Sequence, residues 1–208
     1  MVGDRRRDRA DARDDRTRRV RGARVGGARP PLSTAHRRVR PAAGEFNPFY
    51  AGYIGHVPDG DVLDALIGGA EIATALLHDV DEARAVGAYA PGKWSIKEVV
   101  QHCTDAERIF AYRALRIARG DVTALPGWDE QAYTPMSAAN ARPLEQLLRE
   151  LETVREATVT LFEGLPVDAW TRQGTANGSP ASVRALAWIT AGHLLHHLDI
   201  LQDRYLSP

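Results

Sequence analysis

A single cysteine, Cys103, in a chain of 208 residues excludes an intramolecular disulfide. Cysteine used so sparingly points to a reducing, cytoplasmic compartment. No run of about 18 uncharged apolar residues occurs, so no membrane-spanning helix is expected, and no apolar leader supports secretion. Strand-like alternation of useful length is also missing, which removes the sheet-based classes. Net charge is absent too, but only in sum. Residues 1–40 carry 14 Arg against 5 Asp, and the remainder carries 13 Lys+Arg against 22 Asp+Glu. A segment at +9 precedes a body at −9.

Residues 1–44, with runs such as Arg5-Arg6-Arg7 and Gly26-Gly27, lack apolar periodicity and cannot build a core. An Arg-rich arm can bind nucleic acid or an acidic surface. Five aspartates speak against a mitochondrial targeting peptide. The reading adopted is a disordered extension without a role in function, followed by one domain over 45–206. An acidic body repels phosphate, so a nucleic-acid partner is not expected.

Within the body, four amphipathic stretches read as helices. The first runs from about Asp61 to Asp79, with Gly68-Gly69 weakening its middle. The second starts at Ser95, because Ser95-Ile96-Lys97-Glu98 has the form of a capping box, and it ends near Arg119 before Gly120. The third runs from about Pro143 to Glu163. The fourth is placed from Ser179-Pro180, a cap followed by proline, to Leu206. The aromatic run Asn47 to Tyr53 leads into the domain, and Asn177-Gly178 reads as a turn.

The link between the second and third helices spans residues 121–142, far longer than the roughly 2–8 residues usual in bundles. It can travel the length of the bundle, so those two helices run parallel. The expected fold is all-α, a four-helix bundle with up-down-down-up order and one long crossover. Helices two and four are then antiparallel.

That geometry matters for the histidines. His193 and His197 are four residues apart in Ala191-Gly192-His193-Leu194-Leu195-His196-His197, on the stripe of Leu186, Thr190 and Leu201. Residues at that spacing stack on one helix face, with Cβ atoms about 5–6 Å apart, close enough for two imidazoles to share a cation. His102 lies on the apolar line Val99, His102, Ala106, Ile109 of the second helix. In an antiparallel pair its level coincides with theirs. A lone core histidine is ordinarily a hydrogen-bonded packing residue. Three at one depth from two helices form a candidate metal site.

Ala90-Pro91-Gly92-Lys93-Trp94-Ser95 through His102, Glu107 to Arg113, and Ala191 to His197 together resemble the DinB/YfiT-like superfamily of metal-binding four-helix bundles. The resemblance covers about residues 45–206. It implies a divalent metal held by His102, His193 and His197. It also implies either a thiol-dependent S-transferase, with a low-molecular-weight thiol as cosubstrate, or a hydrolase; homodimers are common in such bundles. The metal is left open among zinc, nickel, copper and iron, all of which suit imidazole.

Three neutral imidazoles leave a coordination position for a small-molecule substrate, a thiol or water. Glu98 and Asp105, one turn before and after His102, are candidates to orient an imidazole or take a proton. Their plainer roles are a capping-box residue and a solvated carboxylate. His196 falls off the stripe and reads as a boundary residue paired with Asp199, with proton transfer as a further role. Trp94, Trp128 and Tyr133 are expected to pack in the core or loops, and Glu107 to form a buried ion pair. The alternative function is a non-catalytic, stress-related metal-binding bundle.

Overall fold

The computed structural model describes residues 34–207. Of the extension expected over 1–44, the part up to Ser33 lies outside the described residues. The remainder is folded, starting eleven residues ahead of the expected domain boundary. Arg40 donates to the carbonyls of Ile54 (2.8 Å) and Val57 (2.6 Å), and its guanidinium stacks 4.7 Å from the Trp188 ring. Glu45 accepts from Ser182 Oγ (2.6 Å), from the Ala42 N–H (3.0 Å) and from Arg184. A cation with this many oriented partners has a fixed place, which composition alone could not reveal.

The helices are α1 (Ala51–His56), α2 (Val62–Leu77), α3 (Glu82–Ala85), α4 (Ile96–Ala118), α5 (Glu130–Met136), α6 (Leu144–Glu163) and α7 (Val183–Ile200), with a π-helical turn at Leu201–Leu206. Asp61 caps α2 by accepting from the Leu63 N–H. Ser95 and Glu98 close the reciprocal capping box on α4, at 3.1 and 2.8 Å. No helix among the described residues is long and apolar enough to cross a membrane.

The bundle consists of α2, α4, α6 and α7, and its contacts give the directions. Thr74 bonds Glu152 while the earlier Leu66 bonds the later Arg155, so α2 and α6 are antiparallel. Gln101 reaches Arg142 and Glu107 reaches Arg155, so α4 and α6 run parallel. The Tyr205 hydroxyl beyond α7 donates to the Trp94 carbonyl ahead of α4 (2.6 Å), so α4 and α7 are antiparallel. This is the up-down-down-up order. The crossover contains the short helix α5, capped by Asp129.

The start of the fourth helix differs from the expectation. Ser179 and Pro180 belong to a strand, β2 (Ser179–Ser182), paired antiparallel with β1 (Gln173–Ala176). Asn177 (φ 50) and Gly178 (φ 72) form the two-residue turn that such a hairpin requires. The helix is capped instead by Ser182, which accepts from the Ala185 N–H at 2.9 Å. Leu125 joins the hairpin edge, exchanging backbone bonds with Thr175 and Asn177. Of Gly68-Gly69, expected to weaken α2, Gly68 faces open space, while a Cβ on Gly69 would make ordinary contact with Arg155 and Leu194.

The core falls into two apolar clusters, one around Leu66, Phe110, Phe162 and Leu186, the other around Leu77, Val99, Leu151 and Leu198. Where they meet, the helices carry His102, His193, Glu107 and Arg155, all buried. The Arg155 guanidinium binds both Glu107 oxygens at 2.8–3.0 Å and also donates to the Leu66 carbonyl. Both side chains are 3% exposed. Glu107→Leu, which strands a buried guanidinium, is expected to cost about 3–5 kcal/mol in urea denaturation. The double variant Glu107→Leu/Arg155→Met should recover most of that loss.

Glu45 generates a pH prediction. Burial alone would raise its pKa, but bonds from Arg184, Ser182 and Ala42 outweigh that and hold it below the ordinary value of 4.5. A carboxyl depressed in the folded state adds stability above its unfolded pKa and loses it as pH falls through the folded one. Glu45→Gln should therefore lower stability by about 1–2 kcal/mol at neutral pH. The difference from the parent protein should shrink as pH falls from about 4.5 and vanish below the depressed folded-state pKa, as read by thermal melts across pH.

Candidate metal centre

α4 contributes His102, and α7 contributes His193 and His197. One ring nitrogen from each lies within 4.8 Å of the others. Nε2 of His102 and Nε2 of His193 are 3.1 Å apart. Nitrogens on one tetrahedral zinc are about 3.3 Å apart, given bonds of roughly 2.0–2.1 Å. The positions fit a shared cation, and so does the donor chemistry. At most one hydrogen bond can join the His102 and His193 nitrogens. Among the described residues no carboxylate or hydroxyl bonds any of the three rings, and His102 Nδ1 is buried without a partner.

Burial keeps these rings neutral, with lone pairs free to bind. Desolvation pushes His102 down to about 4. His193 is driven well below its ordinary value by burial first, then by the neighbouring histidines and Arg155. His197 falls to about 3 through burial, His102 and His196.

Aromatic rings form the wall around the three histidines. Trp94 lies 4.7 Å from the His102 ring, and Trp128 stacks on it at 5.7 Å and 16°. Phe110 (5.8 Å) and Tyr53 (5.2 Å) meet His193 edge-on. Tyr53 is held there by a close backbone approach: a Cβ on Gly192 would collide with the Tyr53 carbonyl, so only glycine admits α1 against α7. Burial, followed by the nearby Tyr50 and Glu130, raises the Tyr53 pKa, so its phenol keeps its proton.

The other candidate residues are engaged elsewhere. Glu98 accepts from the Ser95 N–H, completing the capping box. Asp105 accepts from Gln101 (2.9 Å) and pairs with Arg108 (3.5 Å). His196 packs on Tyr53 and His56, and Asp199 pairs with His56 at 3.0 Å rather than with His196. The i,i+3 spacing placed His196 and Asp199 on one face but could not anticipate His56 on α1 as the competing donor. Cys103 is buried, its thiol pKa raised by desolvation, and it packs in the core.

Tyr53, Trp128 and Glu130 were missed as neighbours of the site. The one sequence signal was a tryptophan isolated in a polar crossover just ahead of an Asp129 cap. Arg113, four residues from Ile109, donates to the Pro126 carbonyl at 2.7 Å and so holds the segment that carries Trp128.

A family model of the DinB superfamily matches residues 65–201, a span that contains all three histidines. No curated protein sequence matches the chain. Among solved structures, it is similar to YfiT from Bacillus subtilis, described as a probable metal-dependent hydrolase with an unusual four-helix bundle topology. The two share 14% identity at a TM-score of 0.64, over 80% of this chain and 91% of that one. With the family model spanning well over half of its length, the chain belongs to the DinB superfamily.

Proposed function

We propose that this protein is a metal-dependent enzyme in which His102, His193 and His197 hold one divalent cation, leaving a coordination position for a reactant. The observation that carries the reading is the convergence of three buried or half-buried imidazoles on one point, with no acid or hydroxyl among the described residues bonded to them. A divalent ion bound there would lower the pKa of water to about 7, or deprotonate a thiol. Activation of water, giving a hydrolase, is favoured by the likeness to YfiT; activation of a low-molecular-weight thiol, giving an S-transferase, uses the same position.

The residues around the histidines set the conditions for that chemistry. Trp128, stacked on the His102 ring, and Trp94, tilted against it, restrict its orientation by packing. Phe110 and Tyr53 shield His193 from water. A partly dry, aromatic wall strengthens the attraction between a cation and the charge developing on a reactant. Exposure at His197 leaves an approach from solvent, because it is less buried than the other two.

Metal content of the full chain, measured by mass spectrometry beside His102→Ala and His193→Ala, tests this reading. The expected result is about one zinc, nickel, copper or iron per chain, lost in both variants. A folded parent protein that carries no metal and takes up none on addition would overturn it.

A further inference from the structure

Beside the histidines lies a cleft of about 250 Å³ whose lining includes Phe49, Tyr50, Trp128, Glu130, Asn47 and Asn177. It is one ring removed from the candidate metal centre. Trp128 forms a wall of the cleft and stacks on His102, while Tyr50 packs edge-on to Phe110 (6.2 Å), which meets His193. Phe49 is 72% exposed, and it meets Tyr50 (5.2 Å) and Tyr53 (5.9 Å) edge-on. None of the functions considered so far uses this arrangement.

The chemistry of the lining selects a ligand. Three aromatic rings offer negative π faces, and Glu130 is the only ionisable carboxylate among the lining residues. No lysine, arginine or histidine lines the cleft. The nearest cation, Arg113, is 4% exposed behind Tyr50 and directs its donors to the Pro126 carbonyl and the Tyr50 side chain. An anion would thus find no partner here. Glu130 has no salt bridge among the described residues, whereas most buried or half-buried carboxylates of the bundle have one. The body of the chain, at −9 from residue 41 onward, adds a field that draws cations.

We infer that this cleft binds an organic cation, an alkylated ammonium group, between the rings of Trp128, Tyr50 and Phe49 with Glu130 as its counter-ion. Aromatic rings and a carboxylate together recognise such groups because the charge is diffuse and weakly hydrated. As a statement about substrate it rests on the proposed enzyme function; as a statement about binding it does not. Glu130 would offset the repulsion between that ammonium and a divalent ion.

The test is calorimetric titration of the full chain with tetramethylammonium chloride, against tert-butanol as a neutral shape mimic and acetate as an anion. Tetramethylammonium should bind about tenfold more tightly than tert-butanol, and acetate should not bind. Glu130→Gln should weaken the cation about tenfold, and Phe49→Ala, at an exposed position that folding does not need, about threefold. The metal-free chain should bind it at least as tightly as the metal-loaded chain. Equal binding of the neutral mimic, unchanged affinity in Glu130→Gln, or no binding of tetramethylammonium would each overturn the inference. A chain that binds the cation but no metal would keep this site and remove the enzyme; the reverse result would remove only the cleft.

Discussion

Everything else in this fold is arranged around a polar layer that the core cannot satisfy from within. His102, His193, Glu107 and Arg155 sit where two apolar clusters meet, so the layer is flanked by leucine and phenylalanine above and below. Half of it is closed. Arg155 and Glu107 neutralise each other through a bidentate contact, with the Leu66 carbonyl taking a further donor. The histidine half remains open, because among the three rings only His102 and His193 lie within hydrogen-bond distance. A buried nitrogen without a partner costs about 1–3 kcal/mol. A fold that concentrates such nitrogens at one point has either a ligand for them or a large unexplained penalty.

The neighbouring pieces read as devices for holding that point in place. Gly192 lets α1 approach α7 closely enough for Tyr53 to meet His193. Gly127 lies so close to Asn177 that a side chain there would collide with it, and Leu125 is bonded to the hairpin edge. These contacts, with the Arg113 bond to Pro126, fix the short segment from which Trp128 reaches His102. The crossover is long, therefore, for two reasons. It returns the chain to the starting end of the bundle, and it delivers an aromatic wall on the way.

Much of this could be read from the sequence, and the division is physical. The capping box at Ser95 and the stop at Gly120 are local hydrogen-bond patterns, so they placed α4 within a residue or two. The histidine spacing follows from helix geometry alone, and the length of the crossover gave the helix directions. The hairpin was missed because Ser179-Pro180 satisfies the local rules for a helix start, while Asn177-Gly178 satisfies those for a two-residue turn. Pairing with β1 and the edge bonds of Leu125 decide between them, and those are long-range. Arg40, Glu45 and His56 were passed over for the same reason. Their partners, on α1, α7 and the segments between, are fixed only by the fold.

The charge balance of the layer bears on what the histidines could do. Glu107 is the carboxylate in the polar layer itself, and its negative charge is already matched by Arg155. Asp105 and Glu98 are tied to partners of their own, and the rings of Trp94 and Trp128 pack against His102. A divalent ion among three neutral imidazoles would keep nearly its whole charge, with Glu130 across the aromatic wall as the compensating group on the cleft side. Structural zinc sites are closed sets of four ligands rich in thiolate, whereas three neutral imidazoles donate no negative charge and leave a position open. Three imidazoles inside an aromatic shell are thus the donor set that would attenuate a bound ion's charge least.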